Sequence, residues 1–394
     1  MNVTRLICFC TVLTCSIAAL AAAPPSAAAV PPSAGAVPNP AVHELGRNWL
    51  ESNGGAGLSI GIYDRGARQF YNYGTTRIDG GTRPTKDTVY EIGALSKLLA
   101  AQLLARAVVE GRASLTDEAS RYLAEPYPNL ANSGESIRLV HLVNMTSQLA
   151  DNIPDLTQVR TVAGEPLPAT YIRVVGDYVS EEFLRQLHRI VPRRAPGIEP
   201  GQSNVACMVL GVALERIYGD SYDTLLTREI EKPLHMGSGT QPNVNLLARG
   251  YTKKNEELPS FAARMAWTWG SLRYSTDDLL RFAAWQMVER DASVKLAHQP
   301  TWTAGEGGDQ SVAMFWIRSD TPLGRRLHFS GGTFGFASAM EIYPDAQLAL
   351  VLLSNRIADG AQEPLRALSA KIVEVLRPGP VSPPPPAAAQ PAYR

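Results

Sequence analysis

Cysteine is scarce in this sequence. Of the four cysteines in 394 residues, three fall within the first fifteen positions and Cys207 is the fourth. The rest of the chain therefore cannot form an internal disulfide, and its fold must be held by the burial of apolar side chains. Cys207 lies inside the apolar run from Val205 to Leu214, which predicts a buried and unreactive thiol.

Net charge is absent as well. Lys plus Arg and Asp plus Glu both number 37, so the chain lacks the positive excess that binding to nucleic acid requires. The six histidines show no metal-ligand spacing, and the sequence contains neither a glycine-rich phosphate loop nor an internal repeat. We therefore expect no metal, no cofactor and no nucleic-acid partner.

Long apolar runs are missing outside the N-terminus. Arg5 precedes an uncharged apolar run from Leu6 to Leu20, followed by three alanines, a pattern typical of a secretory signal peptide over residues 1–23. The run is shorter than the roughly 20 residues that a membrane-spanning helix needs, so no transmembrane anchor is expected. Thr14 before Cys15 is too large for a lipidation site. We expect a secreted, periplasmic protein.

Proline and alanine mark both ends of the remaining chain. Residues 24–40 and 377–394 are rich in these two residues, which predicts an extended linker and an extended tail. Residues 41–376 between them form the folded body, and the sequence as a whole is 45% hydrophobic, enough for a sizeable core.

Apolar periodicity within the body indicates strands at both ends and helices between them. Leu58–Tyr63 and Arg68–Tyr73 predict a hairpin around the turn Asp64-Arg65-Gly66. Helices are predicted, in order, over Leu95–Glu110, Arg138–Val143, Glu181–Ile190, Asn204–Tyr218, Tyr222–Glu231, Asp277–Glu289 and Glu363–Leu376. Further strands are predicted over Val312–Ile317, Arg326–Phe329, Phe336–Ile342 and Leu348–Leu353.

This order predicts an α+β fold, that is, a mixed α/β architecture with an antiparallel sheet. Residues 41–93 and 300–376 would form the sheet part, and residues 94–299 a mostly helical insertion. An N-terminal helix around Val42–Leu50 and the C-terminal helix would cover one face of the sheet. Ser275 and Asp278 are placed as a capping box for the helix that follows them.

Five motifs follow one another along the body. They are Tyr90-Glu91-Ile92-Gly93 leading into the Lys97 helix, Val143-Asn144-Met145-Thr146-Ser147-Gln148-Leu149, Pro196-Gly197 with Ser203-Asn204, Gly270-Ser271-Leu272-Arg273-Tyr274-Ser275-Thr276-Asp277-Asp278-Leu279, and Gly331-Gly332-Thr333-Phe334-Gly335-Phe336. In this order the chain resembles the serine beta-lactamase and D-alanyl-D-alanine carboxypeptidase superfamily, in particular class C beta-lactamases, D-aminopeptidases and related esterases. The resemblance implies a beta-lactamase/transpeptidase-like fold.

The resemblance also implies a mechanism. In that family a serine attacks the substrate carbonyl and a lysine three residues later accepts its proton. A tyrosine two residues before an asparagine relays a second proton. A Lys-Thr-Gly or His-Thr-Gly stretch binds the substrate carboxylate, and two backbone N–H groups form an oxyanion hole.

Carried over position by position, the family pattern is only partly kept. Lys97 and Asn204 match. Ala94 takes the place of the nucleophilic serine, Gln202 that of the tyrosine, and Phe329-Ser330-Gly331 that of Lys-Thr-Gly. Gly331 and Gly332 keep the close backbone approach that an oxyanion hole needs, whereas His328 should point to the opposite face of its strand from Phe329. Three losses at separate motifs favour natural decay of the site over a deliberate knock-out.

Two roles remain open for Lys97 and its neighbours. Lys97 could be a structural donor to Asn204 and Gln202, or a working base. Ser96 as the nucleophile is disfavoured, because adjacent helix residues diverge by about 100°. The favoured hypothesis is a non-catalytic protein that binds a peptidoglycan peptide, a beta-lactam-like ligand or a partner protein, with Trp267, Trp269 and Phe329 as aromatic contacts.

The alternative hypothesis is a hydrolase with an altered mechanism. It would cleave an ester, an amide or a beta-lactam by means of Ser203, Ser330 or a water activated by Lys97. The retained Lys97 and Asn204 motivate this reading.

Overall fold

The computed structural model describes residues 38–54, 56–161, 164–305, 310–357 and 362–378. The predicted signal peptide, nearly all of the linker and most of the tail lie outside these residues. Within the described ranges, no helix combines the length and the apolar character needed to cross a membrane.

An eight-stranded, fully antiparallel sheet forms the frame of the molecule, in the order β2-β1-β14-β13-β12-β11-β10-β9. The described strands in chain order are β1 (Gly57–Asp64), β2 (Ala67–Gly74), β3 (Val89–Glu91), β4 (Ala131–Asn132), β5 (Glu135–Ser136), β6 (Gly250–Tyr251), β7 (Glu257–Leu258), β8 (Arg273–Ser275), β9 (Trp302–Thr303), β10 (Ser311–Ala313), β11 (Trp316–Thr321), β12 (Gly324–Gly332), β13 (Ala337–Tyr343) and β14 (Leu348–Ser354). The first strand pairs with the last, with Leu58 opposite Ser354. A single sheet thus closes across the insertion, as predicted.

Helices fill most of the insertion and flank the sheet. They are α1 (Pro40–Ser52), α2 (Ser96–Val109), α3 (Leu139–Val143), α4 (Leu167–Gly176), α5 (Ser180–Leu187), α6 (Asn204–Tyr218), α7 (Tyr222–Leu226), α8 (Lys232–Leu234), α9 (Thr276–Val288), α10 (Ala292–Ala297) and α11 (Glu363–Leu376). Short two-stranded ladders, β3 with β8, β4 with β5 and β6 with β7, interrupt the helical part.

The two faces of the sheet bury different helices. On one face, Val42 of α1 and Ile372 of α11 share a core with Ile60 and Leu350 of the sheet. On the other face, Leu280 of α9 packs in the main core, which extends through the helical part. The prediction that the N-terminal and C-terminal helices cover one face is confirmed.

Helix boundaries follow local capping chemistry. Ser203 accepts a hydrogen bond from the Ala206 N–H at the start of α6, and Gly219 ends that helix in the left-handed conformation. The predicted capping box of Ser275 and Asp278 is present at α9. The linker prediction ran one residue too far, because Pro40 is already the first residue of α1, capped by Asn39.

Other predicted elements differ from the structure. The predicted strand Val312–Ile317 is two strands, β10 and β11, joined at Met314 and Phe315, which both have positive φ. The helix predicted over Tyr222–Glu231 continues past Leu226 as a π-helical turn, and α5 ends at Leu187, short of the predicted Ile190. Helices α4 and α10 were not predicted.

Candidate functional site

A cavity of about 590 Å³ opens beside Phe329 and Ser330 of β12, which lie beyond the last residue of that strand paired with β11. Its walls come from the first turn of α2, the segment after α3, the loop before α6, the β9–β10 hairpin and β12 itself. Four predicted site residues line it, namely Lys97, Gln202, Phe329 and Ser330. This gathering of residues from distant parts of the sequence makes the cavity the candidate site.

Ala94 lies next to the glycines of β12. It belongs to a short 3-10 turn, Gly93–Leu95, directly before α2. A Cβ added at Gly331 would lie 2.4 Å from the Ala94 backbone nitrogen, and one added at Gly93 would lie 2.4 Å from that of Gly332. Only glycine permits this backbone approach, so the close contact expected of Gly331 and Gly332 is present.

Lys97 is buried and has no polar partner. It is 3% exposed, borders the cavity, and makes no hydrogen bond or ion pair with any residue that the structure describes. Its Nζ lies 6.0 Å from the ring centroid of Phe315, within reach of a cation–π interaction. The predicted hydrogen bonds from Lys97 to Asn204 and Gln202 are therefore wrong.

Asn204 is held by a neighbouring loop instead. Its side-chain amide donates to Asn152 Oδ1 at 2.9 Å, and its backbone N–H donates to the Asp151 carbonyl at 2.8 Å. Its Oδ1 is buried without a partner. Asn204 thus ties the start of α6 to the segment that follows α3, whereas Gln202 lines the cavity.

Phe329 extends an aromatic wall. Its ring centroid lies 6.2 Å from that of Phe315, so this part of the cavity wall is apolar. The Phe315 N–H donates to the Val143 carbonyl at 2.6 Å, which fastens the β10–β11 turn to α3.

The tryptophans do not lie where the sequence suggested. Trp269 packs 5.5 Å from Phe261 and donates its indole N–H to the Met265 carbonyl, and neither Trp267 nor Trp269 borders the cavity. Trp302 does border it and donates to the Ile198 carbonyl at 3.2 Å. No local sequence signal separated Trp302 from the other two, because its position depends on the hairpin of β9 and β10.

The serine alternatives are constrained by their surroundings. Ser96 is fully buried, its hydroxyl has no partner, and it does not line the cavity. Ser203 donates to the Ala150 carbonyl at 2.7 Å and caps α6. Ser330 borders the cavity, so it is the only one of these three that a ligand there can reach.

His328 lines the same cavity as Phe329. Burial lowers the pKa of His328 well below its ordinary range, and Arg326 and Arg366 lower it further. His328 therefore adds no positive charge to the cavity wall at neutral pH.

Two arginines border the cavity, and each has an acidic partner. Arg193 lies 3.7 Å from Asp151, which also lines the cavity. Arg366 lies 3.2 Å from Glu363. The fixed charges of the wall are therefore positive in excess, and Lys97 is the cation that lacks a carboxylate within the described part of the chain.

Behind the turn of Ala94, the carboxyl of Glu91 is buried. It accepts hydrogen bonds from the Phe261 N–H and the Thr333 hydroxyl, both at 2.7 Å. Burial raises the pKa of Glu91 to about 7, although these hydrogen bonds oppose the rise. Glu91 thereby ties β3 to the segment that follows β12.

Comparison with known proteins agrees with this architecture. The model of the family described as beta-lactamase matches residues 44–373. The chain belongs to the beta-lactamase family. Two solved structures share its fold: a class C beta-lactamase, with a TM-score of 0.72 and 20% identity over 86% of this chain and 96% of that one, and the beta-lactamase/D-alanine carboxypeptidase of Pseudomonas syringae, with a TM-score of 0.70 and 20% identity over 86% and 100%.

Sequence relatives of this beta-lactamase family member align over a smaller share of the chain than these structures do. A beta-lactamase of Pseudomonas fluorescens is 24% identical over 340 residues, which cover 76% of this chain and 88% of that protein. The D-alanyl-D-alanine-carboxypeptidase/endopeptidase AmpH of Escherichia coli K12 is 29% identical over 188 residues, 48% of this chain. That match spans about half the length of the relative, 46%.

Proposed function

We propose that this member of the beta-lactamase family is a secreted, non-catalytic protein that binds a ligand in the cavity beside β12. One observation carries the proposal: Lys97 is hydrogen-bonded to no serine among the described residues. An oxygen nucleophile needs an activating base within hydrogen-bond reach. With Ala94 at the nucleophile position of the family pattern, the lysine has no hydroxyl to deprotonate.

The cavity supports a binding role. Its volume of about 590 Å³ falls in the range of small-molecule sites, and its aromatic wall with a few polar groups is typical of them. A peptidoglycan peptide or a beta-lactam-like ligand fits a secreted member of this family, and a protein partner at the cavity rim is the further option.

Incubation with a fluorescent penicillin and a chromogenic ester tests the proposal. We expect no covalent adduct by intact-mass measurement and no turnover above buffer. Removing the nucleophile of a serine hydrolase lowers turnover by on the order of 10⁶, so any residual rate should be lost in the background. A stable adduct at any serine would overturn the proposal.

A hydrolase with an altered mechanism is the second candidate, and Ser330 is the observation in its favour, because this serine borders the same cavity as Lys97. If the ester is hydrolysed, Ser330→Ala and Lys97→Met should each abolish the rate. Hydrolysis that survives both changes would remove this candidate as well.

A further inference from the structure

The ammonium group of Lys97 carries three N–H donors, and none of them has an acceptor in the described part of the chain. A buried charge is tolerated in proteins when it is paired and hydrogen-bonded. The cation–π contact with Phe315 stabilises one side of the charge, but it uses no strong acceptor. Lys97 therefore has no counter-ion among the described residues. An anion that enters the cavity from solvent would supply one.

The neighbouring ionic groups cannot supply that counter-ion. Asp151 pairs with Arg193, and Glu363 pairs with Arg366. His328, the remaining titratable group of the wall, is neutral. An anion that enters the cavity would thus meet an excess of positive charge, and Lys97 is the buried one among the three cations of the wall.

The backbone around the cavity is held in unfavourable conformations. Met145 and Gln148 line it with φ of 67° and 59°, and the turn residues Met314 and Phe315 have φ of 48° and 70°. Large side chains rarely adopt this left-handed region, and such strain is concentrated at binding and catalytic sites. The strained turn is also what places the Phe315 ring against Lys97.

We infer that the cavity binds an organic carboxylate, whose carboxylate group pairs with Lys97 and whose aromatic or branched apolar body packs against Phe329 and Trp302. The inference rests on the proposed function, because a lysine that served as a base would not be free to hold an anion. In this arrangement Lys97 of α2 recognises the charge of the ligand, and Phe329 of β12 provides apolar contact. A single ammonium with one aromatic neighbour, Phe315, suits a monovalent carboxylate better than a phosphate dianion, which requires several donors.

The test compares 3-phenylpropionate with its neutral amide, 3-phenylpropionamide, by isothermal titration on the full chain. We expect the carboxylate to bind about tenfold more tightly or better, as for a hydrogen bond to a charged group. Lys97→Met should reduce carboxylate affinity to that of the amide. Lys371→Met, on an exposed position of α11, is the matched control and should change neither affinity.

The unliganded protein gives a second readout that needs no choice of ligand. Removing an unpaired buried charge relieves its desolvation cost, so Lys97→Met should raise the melting temperature in buffer, whereas a structural lysine would give a lower one. Equal affinities of carboxylate and amide, no binding of either, or a lower melting temperature of Lys97→Met would each overturn the inference. None of these results involves acylation by penicillin, which is the result that overturns the proposed function.

Discussion

Gly331 lies against Ala94 so closely that a Cβ on the glycine would come within 2.4 Å of the alanine nitrogen and 3.0 Å of its methyl group. The neighbouring atoms are backbone, which cannot rotate away as a side chain can. This contact joins the turn before α2 to the end of β12, the two elements that carry Lys97 and Phe329 in the cavity wall.

Gly331→Ala should consequently push these two elements apart. We expect a loss of about 2 kcal/mol in the free energy of unfolding, as for other overpacking substitutions, measured by urea denaturation. Gly176→Ala is the matched control, since a Cβ there meets no atom within 4 Å. A Gly331→Ala variant as stable as the control would contradict the close approach.

Ala94→Ser tests how much of the family's chemistry survives. We expect only feeble acylation by penicillin, because Gln202 and Phe329 stand where a proton relay and a cation are expected. The double variant Ala94→Ser, Phe329→Lys should acylate faster than the single one, as intact-mass time courses would show. Equal rates for the two variants would mean that Phe329 does not limit the reaction.

Arg326 and Glu341 form a buried ion pair between β12 and β13, with Arg326 Nε 2.7 Å from the carboxylate. Breaking such a pair from one side leaves an uncompensated charge, so Arg326→Met should cost roughly 3 kcal/mol or more in the free energy of unfolding. The double variant Arg326→Met, Glu341→Gln should recover much of the loss. Urea denaturation of both variants measures this, and an equally unstable double variant would argue against charge as the cause.

The raised pKa of Glu91 predicts a pH dependence of stability. Burial raises this pKa from 4.5 to about 7, so the folded protein binds a proton that the unfolded chain releases. The stability that comes from this proton is fully present below pH 4.5 and is lost as pH rises through about 7. Glu91→Gln should remove this loss, because the amide stays neutral.

Denaturation across that pH window gives the measurement for Glu91. The free energy of unfolding of the wild type should fall more steeply than that of Glu91→Gln. Parallel curves would show that the carboxyl of Glu91 ionises as readily in the folded protein as in the unfolded chain.

Sequence patterns predicted the elements whose ends carry local signals. Helix α6 spans Asn204–Tyr218 as predicted, because Ser203 and Gly219 mark its two ends chemically. Helix α11 likewise matches its predicted range, Glu363–Leu376. The order of strands and helices was also sufficient to predict a single sheet that closes across an insertion.

The β10–β11 turn could not be predicted in the same way. Two-residue hairpin turns with positive φ at both positions favour Asn and Gly, whereas this turn uses Met314 and Phe315. Its conformation depends on tertiary contacts such as the hydrogen bond to Val143. The aromatic neighbour of Lys97 was invisible in the sequence for the same reason, as was the choice of Trp302 over Trp267 and Trp269.

The pairing of β1 with β14 has a consequence for the order of folding. Strand β1 ends at Asp64, and its partner begins at Leu348, so nearly the whole chain must be available before the centre of the sheet can form. Until then the hairpin of β1 and β2 exposes an unpaired edge and an apolar face. Contacts between such distant residues slow folding, which gives a chain under synthesis a long interval in which it stays unfolded and open to chaperones.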